Sequence, residues 1–144
     1  MKAPFALAIV AAAMLAPALA HAQVKQPIYV ECNAQASDEV GKGLCSSLRD
    51  AIAKSPRYAL IREPGKREPG KELHSVIILS SAPIVGGSSA SSVVFGFAFG
   101  DGPITFLGHQ VITIALHKVD EQAAGLLVDF DILMPWQTSQ RWPQ

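Results

Sequence analysis

Residues 28–61, IYVECNAQASDEVGKGLCSSLRDAIAKSPRYALI, carry the pattern that decides the fold. The opening residues alternate between apolar and polar types, which predicts a strand over residues 27–33 with Ile28, Val30 and Cys32 on one face. Residues 57–61 predict a second short strand. The chain between them therefore connects two strands, and its composition indicates a helix.

The helix is predicted from its ends and from one apolar stripe. Ser37 or Asp38 is a suitable N-cap, and the sequence Lys54-Ser55-Pro56 ends the helix because proline disfavours helical geometry in the residue before it. The apolar residues recur at helical spacing: Val40, Leu44, Leu48, Ala51 and Ile52. Gly41 and Gly43 lie inside this helix, where they favour close packing rather than phosphate binding.

The two cysteines of the chain, Cys32 and Cys45, predict one disulfide. Cys32 lies on the apolar face of the first strand, and Cys45 lies on the flank of the helical stripe. A bridge between them closes a short loop and adds about 3 kcal/mol to stability in the chain-entropy account. The alternative is two separate buried thiols.

The rest of the chain predicts three more strands and a final helix. The strands lie over residues 73–81, 93–99 and 110–116, and residues 86–92 predict a flexible connection of small residues. Residues 119–134 fit either a strand or a helix; the apolar stripe and a capping Asp120 favour the helix. The order β-α-β-β-β-β-α predicts an α+β two-layer sandwich: a mainly antiparallel sheet of about five strands with two helices on one face.

The N-terminal residues 1–22 have the pattern of a secretory signal peptide. Lys2 is followed by an uncharged, alanine-rich stretch that ends in small residues, with cleavage expected after Ala22. The alternative, an uncleaved membrane helix, is disfavoured by the alanine content and the small-residue ending. We therefore expect a periplasmic or secreted protein without a membrane span after cleavage. It consists of one domain over residues 23–134 and a tail over residues 135–144 that contains Trp136 and Trp142.

The charge balance argues against nucleic acid as a partner. The chain has 12 Lys and Arg residues and 12 Asp and Glu residues, and loss of Lys2 leaves the mature protein with one net negative charge. A nucleic-acid binder needs a basic face to replace the counterions of phosphates. No nucleic-acid partner is expected.

The sequence REPGKREPGK, residues 62–71, is a tandem repeat of one five-residue unit. Each Glu-Pro-Gly-Lys places proline and glycine at the two central positions of a type II turn. The repeat therefore predicts two successive turns, and the alternative is a charged recognition loop. Doubling such a loop costs only about 0.6 kcal/mol in closure entropy, so a duplication persists without needing a function.

Candidate catalytic and metal-binding residues do not form a known constellation. His109 and His117 are about 26 Å apart on a continuous strand, which is too far to share a metal ion. No group of His, Cys, Asp and Glu residues around them or around His74 predicts a metal site. Asp129 and Asp131 point about 200 degrees apart on a helix, so they do not pair as acid and base. The sequence favours a non-enzymatic protein without a cofactor.

The strand over residues 93–99 places Phe95, Phe97 and Phe99 on one face and Gly96 and Ala98 on the other. If the helices cover the Gly96 side, the three phenylalanines form an exposed interaction surface. The alternative is that the helices cover the phenylalanines and the small residues face solvent.

The strand-helix-strand segment over residues 27–61 resembles small exported bacterial proteins of unassigned function. It is also weakly similar to the strand-helix-strand unit of periplasmic Tol-system and lipoprotein accessory domains. The resemblance implies an envelope accessory or binding domain, although this chain has no lipidated cysteine at the predicted cleavage site.

We therefore expect an exported accessory domain that binds a protein or cell-envelope component through its sheet surface, with a homodimer as one form of that interaction. One alternative is a small hydrolase in which His109 or His74 meets a carboxylate and a serine from distant parts of the chain. Another is a carrier of a small ligand, which needs an apolar cavity.

Overall fold

The computed structural model describes residues 25–62, 73–100 and 102–134. Its elements, in chain order, are β1 (Gln26–Ala34), α1 (Glu39–Lys54), β2 (Tyr58–Ile61), β3 (Leu73–Ile84), β4 (Ser88–Phe99), β5 (Thr105–Ala115), a single 3-10 turn (Leu116–Lys118) and α2 (Val119–Leu133). The predicted α+β class and element order are confirmed. The predicted signal peptide, the tail and nearly all of the duplicated unit lie outside the described residues.

The five strands form one sheet in the order β2-β1-β3-β4-β5. The two long ladders, β3 with β4 and β4 with β5, are antiparallel, as predicted for most of the sheet. β1 lies between β2 and β3 and runs parallel to both, with Ile28 opposite Ser75. The sheet is therefore mixed.

Both helices pack on one face of the sheet, and the core lies between them and the strands. We call the other side, which neither helix covers, the open face. The sheet side of the core is made by residues that alternate along each strand, including Ile28, Val30, Ile77, Leu79, Val93, Phe95 and Ile114. The helix side is made by Val40, Leu44, Leu48 and Ile52 of α1 and by Val119, Ala123, Leu126 and Phe130 of α2.

Helix α1 begins and ends as its sequence predicts. Asp38 is the N-cap, and its side chain accepts a hydrogen bond from the Gly41 backbone N–H. Glu39 follows in the first turn, where an acid favours the positive end of the helix dipole. The helix stops before Ser55 and Pro56.

The last apolar segment is a helix, and the alternative strand is wrong. Phe130 is fully buried and contacts the rings of Tyr58 and Phe95, with 5.8 Å between ring centroids in both pairs. The predicted cap at Asp120 is also wrong, because the 3-10 turn leads directly into α2 and places Lys118 at the N-cap position. Asp120 instead accepts a hydrogen bond from Ser47 of α1 at 2.6 Å.

Strand β4 begins five residues earlier than predicted, at Ser88. The small residues expected to form a flexible connection are paired with the end of β3, where Ser91 lies opposite Ser81. The turn itself is limited to residues 85–87, and both of its glycines, Gly86 and Gly87, adopt positive φ. Strand pairing and burial under α1 therefore override the weak strand preference of serine.

Candidate functional site

The three phenylalanines of β4 point toward the helices. Phe95 is 1% exposed and packs against α2, so the prediction that it belongs to an exposed surface is wrong. The reason is that α1 and α2 cover the phenylalanine side of the strand, which leaves Gly96 and Ala98 on the open face. Phe97 is partly buried, and Phe99, its edge-to-face neighbour, is 51% exposed. An interaction role for these last two residues stays a prediction.

β5 forms one edge of the sheet and is the longer of the two edge strands. It is 11 residues long, with the sequence TFLGHQVITIA, and it contains no Lys, Arg, Asp, Glu or Pro. Edge strands are normally short, charged or interrupted by proline, because their unpaired backbone groups otherwise pair with other chains. β5 has one irregularity, a register shift near Gly96, and no other feature of this protective kind.

Exposed apolar side chains flank β5 on the open face of the sheet. Phe106 is 62% exposed and Val111 is 67% exposed. Both lie on the open face, because Phe106 is opposite Gly96 and Val111 is opposite Ser92. They form an apolar border along one side of the β5 edge.

The helix side of β5 has a matching apolar border from α2. Ile132 is 68% exposed and Leu133 is 36% exposed, and both line a cavity with Gly108 and Gln110 of β5. Helix α2 approaches β5 closely at Gly108, where a Cβ atom would meet the Leu133 side chain at 2.9 Å. We call β5, its two flanking borders and the unpaired backbone between them the β5 edge surface.

The opposite edge of the sheet is protected. β2 has only four residues and is flanked by Arg57 and Arg62, the kind of short charged edge that discourages strand addition. Arg57 forms an ion pair with Asp131 of α2 at 3.0 Å. The two edges of the sheet therefore differ in their capacity to accept another strand.

Asp129 and Asp131 of α2 point to opposite sides, as predicted for a helix. Asp129 accepts a hydrogen bond from Gln110 of β5 at 3.3 Å, and Asp131 accepts one from the hydroxyl of Tyr58 in β2. Burial raises the pKa of the Tyr58 phenol above its ordinary value, and the hydrogen bond to Asp131 and the charge of that carboxylate raise it further. These bonds fix α2 across the sheet.

A buried polar cluster lies beneath the start of α1. The Asp38 carboxylate is 1% exposed and accepts hydrogen bonds from the Gly41 N–H at 2.8 Å and the Ser89 hydroxyl at 2.7 Å. Burial alone raises the pKa of this carboxyl, but those hydrogen bonds, the neighbouring Ser81 hydroxyl and the Lys42 charge outweigh it and hold the pKa below the ordinary value. The Ser81 hydroxyl acts by proximity, since its geometry falls short of a hydrogen bond. The cluster joins α1 to the β3–β4 hairpin.

The predicted disulfide between Cys32 and Cys45 is formed, with 6.1 Å between the two Cα atoms. It joins β1 to α1. A shallow depression of about 420 Å³ lies beside it, lined by Lys42, Arg49 and Asp50. Charges of both signs line this depression, so it does not select an anion or a cation.

Two cavities hold the histidines considered for catalysis. One of about 250 Å³ lies between β5 and α2 and is lined by His109 and Asp129, and one of about 230 Å³ lies on the open face and is lined by His74 and Glu31. A serine hydrolase needs a serine within reach of its histidine, and no serine among the described residues lines either cavity. Within the same part of the chain, no three His, Cys, Asp or Glu side chains group closely enough to hold a metal ion.

No protein-family model matches the chain, and no curated protein does. Its fold is similar to two structures of the PelC dodecamer from Paraburkholderia phytofirmans, at 12% identity and TM-scores of 0.48 and 0.47. These similarities cover 78% and 76% of this chain and 89% and 86% of PelC. A minor lipoprotein from Acinetobacter baumannii is similar at 12% identity and a TM-score of 0.41, over 78% of this chain and 95% of that one. At these TM-scores the likeness carries no functional argument.

The β5 edge surface was not predicted from the sequence. Its signal is nevertheless present, because β5 and the residue on either side of it are free of charge from Ile104 to Leu116. Interpreting that signal requires the knowledge that β5 is an edge strand, and strand order is a tertiary property. Among the described residues, no helix is long and apolar enough to cross a membrane.

Proposed function

We propose that the protein is an exported, non-enzymatic binding domain that adds an extended segment of a protein to its β5 edge. The observation that carries this proposal is the 11-residue uncharged edge strand, bordered on both sides by exposed apolar side chains. The partner is a polypeptide, because only another strand matches the spacing of the unpaired N–H and C=O groups along a sheet edge.

The borders supply the affinity that backbone hydrogen bonds alone do not provide. An added strand points alternate side chains to opposite faces, so its residues meet Phe106 and Val111 on the open face and Ile132 and Leu133 on the helix side. Complete burial of one such side chain is worth about 1.5–3 kcal/mol. The four side chains are already partly buried, so together they contribute about 3–7 kcal/mol. With the backbone bonds, this offsets the lower part of an association cost of about 4–15 kcal/mol.

The disulfide supports a location outside the cytoplasm. Disulfides persist in oxidising compartments such as the periplasm and the extracellular space. The Cys32–Cys45 bridge joins two core elements and leaves no free cysteine among the described residues. Together with the signal peptide expected at residues 1–22, it favours an exported protein, and a role at the cell envelope is part of the proposal.

The test uses one residue of the β5 edge surface and a matched control. A photoreactive phenylalanine derivative is placed at Val111 in one variant and at Val85 in another, since Val85 is fully exposed but lies in the β3–β4 turn. Crosslinking is carried out in cells that export the protein, and adducts are mapped by mass spectrometry. The lysine variants Val111→Lys and Val85→Lys are compared in sedimentation equilibrium and in competition with each adduct.

We expect adducts from position 111 whose crosslinked partner residue lies in an extended segment, with no equivalent adduct from position 85. A second copy of this chain as partner identifies a homodimer, and another polypeptide identifies a heterologous complex. Val111→Lys should weaken either association at least about tenfold, because it puts a charged side chain where the added strand otherwise contacts an apolar one. A strictly monomeric protein that gives the same adducts from both positions contradicts the proposal.

A further inference from the structure

A cavity of about 250 Å³ lies between β5 and the C-terminal half of α2, on the helix side of the β5 edge surface. Its lining includes Gly108 and Gln110 of β5 and Asp129, Ile132 and Leu133 of α2. Small-molecule sites in proteins usually measure about 300–1,000 Å³. The cavity is therefore smaller than such a site, and its position beside an edge strand suits one side chain of an added strand.

The apolar part of the cavity accommodates a carbon chain. Phe95 is 1% exposed and forms its floor, and Ile132 and Leu133 form one wall. Gly108 leaves room for this wall, because a Cβ atom at this residue would meet the Leu133 side chain at 2.9 Å. Such a lining buries the stem of a long side chain and leaves its end to a polar group.

That polar group is Asp129. It lies three and four residues before Ile132 and Leu133, so all three are on the side of α2 that faces β5. Its Oδ2 atom accepts a hydrogen bond from Gln110 at 3.3 Å, and its Oδ1 atom accepts none from the described residues. His109 also lines the cavity but belongs to the open-face side of β5. No lysine or arginine is among the described lining residues.

Two other carboxylates of α2 have cationic partners. Asp131 pairs with Arg57 at 3.0 Å, and Glu121 pairs with Lys118. Asp129 has instead one neutral amide at a longer distance. It also lies near the C-terminal end of α2, whose last turn contains no basic residue, and the negative end of a helix dipole favours a cation. Charge complementarity therefore selects a positively charged group for this cavity.

An added strand brings such a group within reach. Its backbone lies about 4.8 Å beyond β5, and its side chains on the helix side are neighbours of Gly108 and Gln110. The Asp129 carboxylate lies at the end of the Gln110 side chain, 3.3 Å from its Nε2 atom. A long side chain next to Gln110 therefore reaches the Oδ1 atom of Asp129, whereas a short one does not.

We infer that the β5 edge selects an extended segment with a lysine at the position that lies beside Gln110. The lysine stem packs on Ile132 and Leu133, and its ammonium group donates to the Oδ1 atom of Asp129. Lysine fits better than arginine, because the planar fork of arginine engages both oxygens of a carboxylate and Oδ2 is already bonded. This inference rests on the proposed strand addition and names the chemistry of the partner.

The test begins with a phage-displayed library of random peptides that are about as long as β5. Selections use the unmodified protein, Val111→Lys, which disrupts the edge, and Asp129→Asn, which keeps an acceptor for Gln110 but removes the charge. Glu121→Gln is the matched control, because it removes an exposed carboxylate from the first turn of α2. Arg141→Gln removes the one basic residue that follows α2 in the sequence. The tightest peptide is then synthesised with lysine, arginine, norleucine or glutamate at the selected position, and affinities are measured by calorimetry.

We expect the enriched peptides to alternate apolar residues and to share one lysine. The lysine peptide should bind about five- to tenfold more tightly than the norleucine peptide, and more tightly than the arginine peptide. Asp129→Asn should abolish this preference, and Asp129→Lys should favour the glutamate peptide. Glu121→Gln and Arg141→Gln should leave the preference unchanged.

The possible failures separate the lysine preference from strand addition. The inference is overturned if peptides bind in a manner sensitive to Val111→Lys but lysine and norleucine bind alike, if Asp129→Asn keeps the lysine preference, or if Arg141→Gln alters it. Strand addition itself stands in all three cases. Peptides that bind Val111→Lys as well as they bind the unmodified protein, or a selection that enriches no peptide, contradict both proposals.

Discussion

Replacement of the buried helix cap, Asp38→Ala, should destabilise the protein by about 2–4 kcal/mol at neutral pH. Loss of an N-cap side chain costs about 1 kcal/mol. In addition, the Ser89 hydroxyl loses its 2.7 Å hydrogen bond to the charged Asp38 carboxylate, which is worth about 1–3 kcal/mol, and keeps only the longer one of 3.2 Å to the Ala82 carbonyl oxygen. The free energy of unfolding, measured by urea denaturation, gives the total.

The same residue should produce a pH dependence of known sign. Because the pKa of the Asp38 carboxyl is lowered in the folded protein, its charge stabilises the fold fully above the unfolded value of about 3.9, and this contribution is lost as the pH falls through the folded pKa. Asp38→Asn keeps an acceptor for Gly41 but has no charge. It should therefore destabilise less than alanine at pH 7 and should remove this part of the acid sensitivity.

The matched control is Asp50→Ala, which removes an exposed aspartate from the same helix. Its effect should stay within about 0.5 kcal/mol. The reasoning is refuted if Asp38→Ala is no more destabilising than Asp50→Ala, or if Asp38→Asn keeps the acid sensitivity of the unmodified protein.

Three further changes test other contacts of the fold. Gly41→Ala should be strongly destabilising because its Cβ atom would lie 1.9 Å from a serine hydroxyl. At Gly43 an added Cβ atom meets only an ordinary contact at 3.6 Å, so Gly43→Ala should be neutral or stabilising by up to about 1 kcal/mol. Thermal unfolding compares the two variants. Joint replacement of Cys32 and Cys45 by serine should lower the free energy of unfolding by about 3 kcal/mol, and reduction of the unmodified protein should match it. Tyr58→Phe should cost about 1–2 kcal/mol at pH 7 and should remove a tyrosine that resists ionisation above pH 10 in an absorbance titration.

Each of these three predictions can be contradicted by one measurement. Equal tolerance of alanine at Gly41 and Gly43 would mean that α1 does not lie against the serines of the hairpin. A urea midpoint for the double serine variant equal to that of the oxidised protein would remove the disulfide from the stability argument. Two tyrosines that ionise together near their ordinary value would exclude a buried bond between Tyr58 and α2.

The local elements could be predicted from the sequence because their causes are local. The alternation around Ile28, the cap at Asp38 and the stop at Pro56 each act within a few residues, and these elements are confirmed. The apolar pattern over residues 119–134 was also sufficient to predict α2, and its residues Val119, Ala123, Leu126, Phe130 and Met134 are buried. The disulfide could be predicted because Cys32 lies on the apolar face of a strand, Cys45 lies on the flank of the apolar stripe of a helix, and these two elements are adjacent in sequence.

The features that were not predicted depend on distant parts of the chain. The serines of β4 become a strand because β3 pairs with them, and Ser89 reaches Asp38 across 51 residues. The faces of β4 were correctly separated, but alternation alone does not say which face the helices cover; the deciding fact is that Phe95 packs against Phe130. The position of β5 at an edge, on which the proposed function depends, is likewise set by strand order.

The placement of β1 between two parallel neighbours has a consequence for how the chain can vary in length. The described ends of the connection over residues 62–72 lie on either side of β1: Ile61 is level with Tyr29, and Leu73 is level with Gln26. These ends are about 14 Å apart, from three residues along the strands and two strand spacings across them. The six residues that remain after loss of one five-residue unit span about 20 Å when extended. Relatives with a single unit should therefore keep every strand in register, so the copy number of this unit is free to drift without altering the architecture.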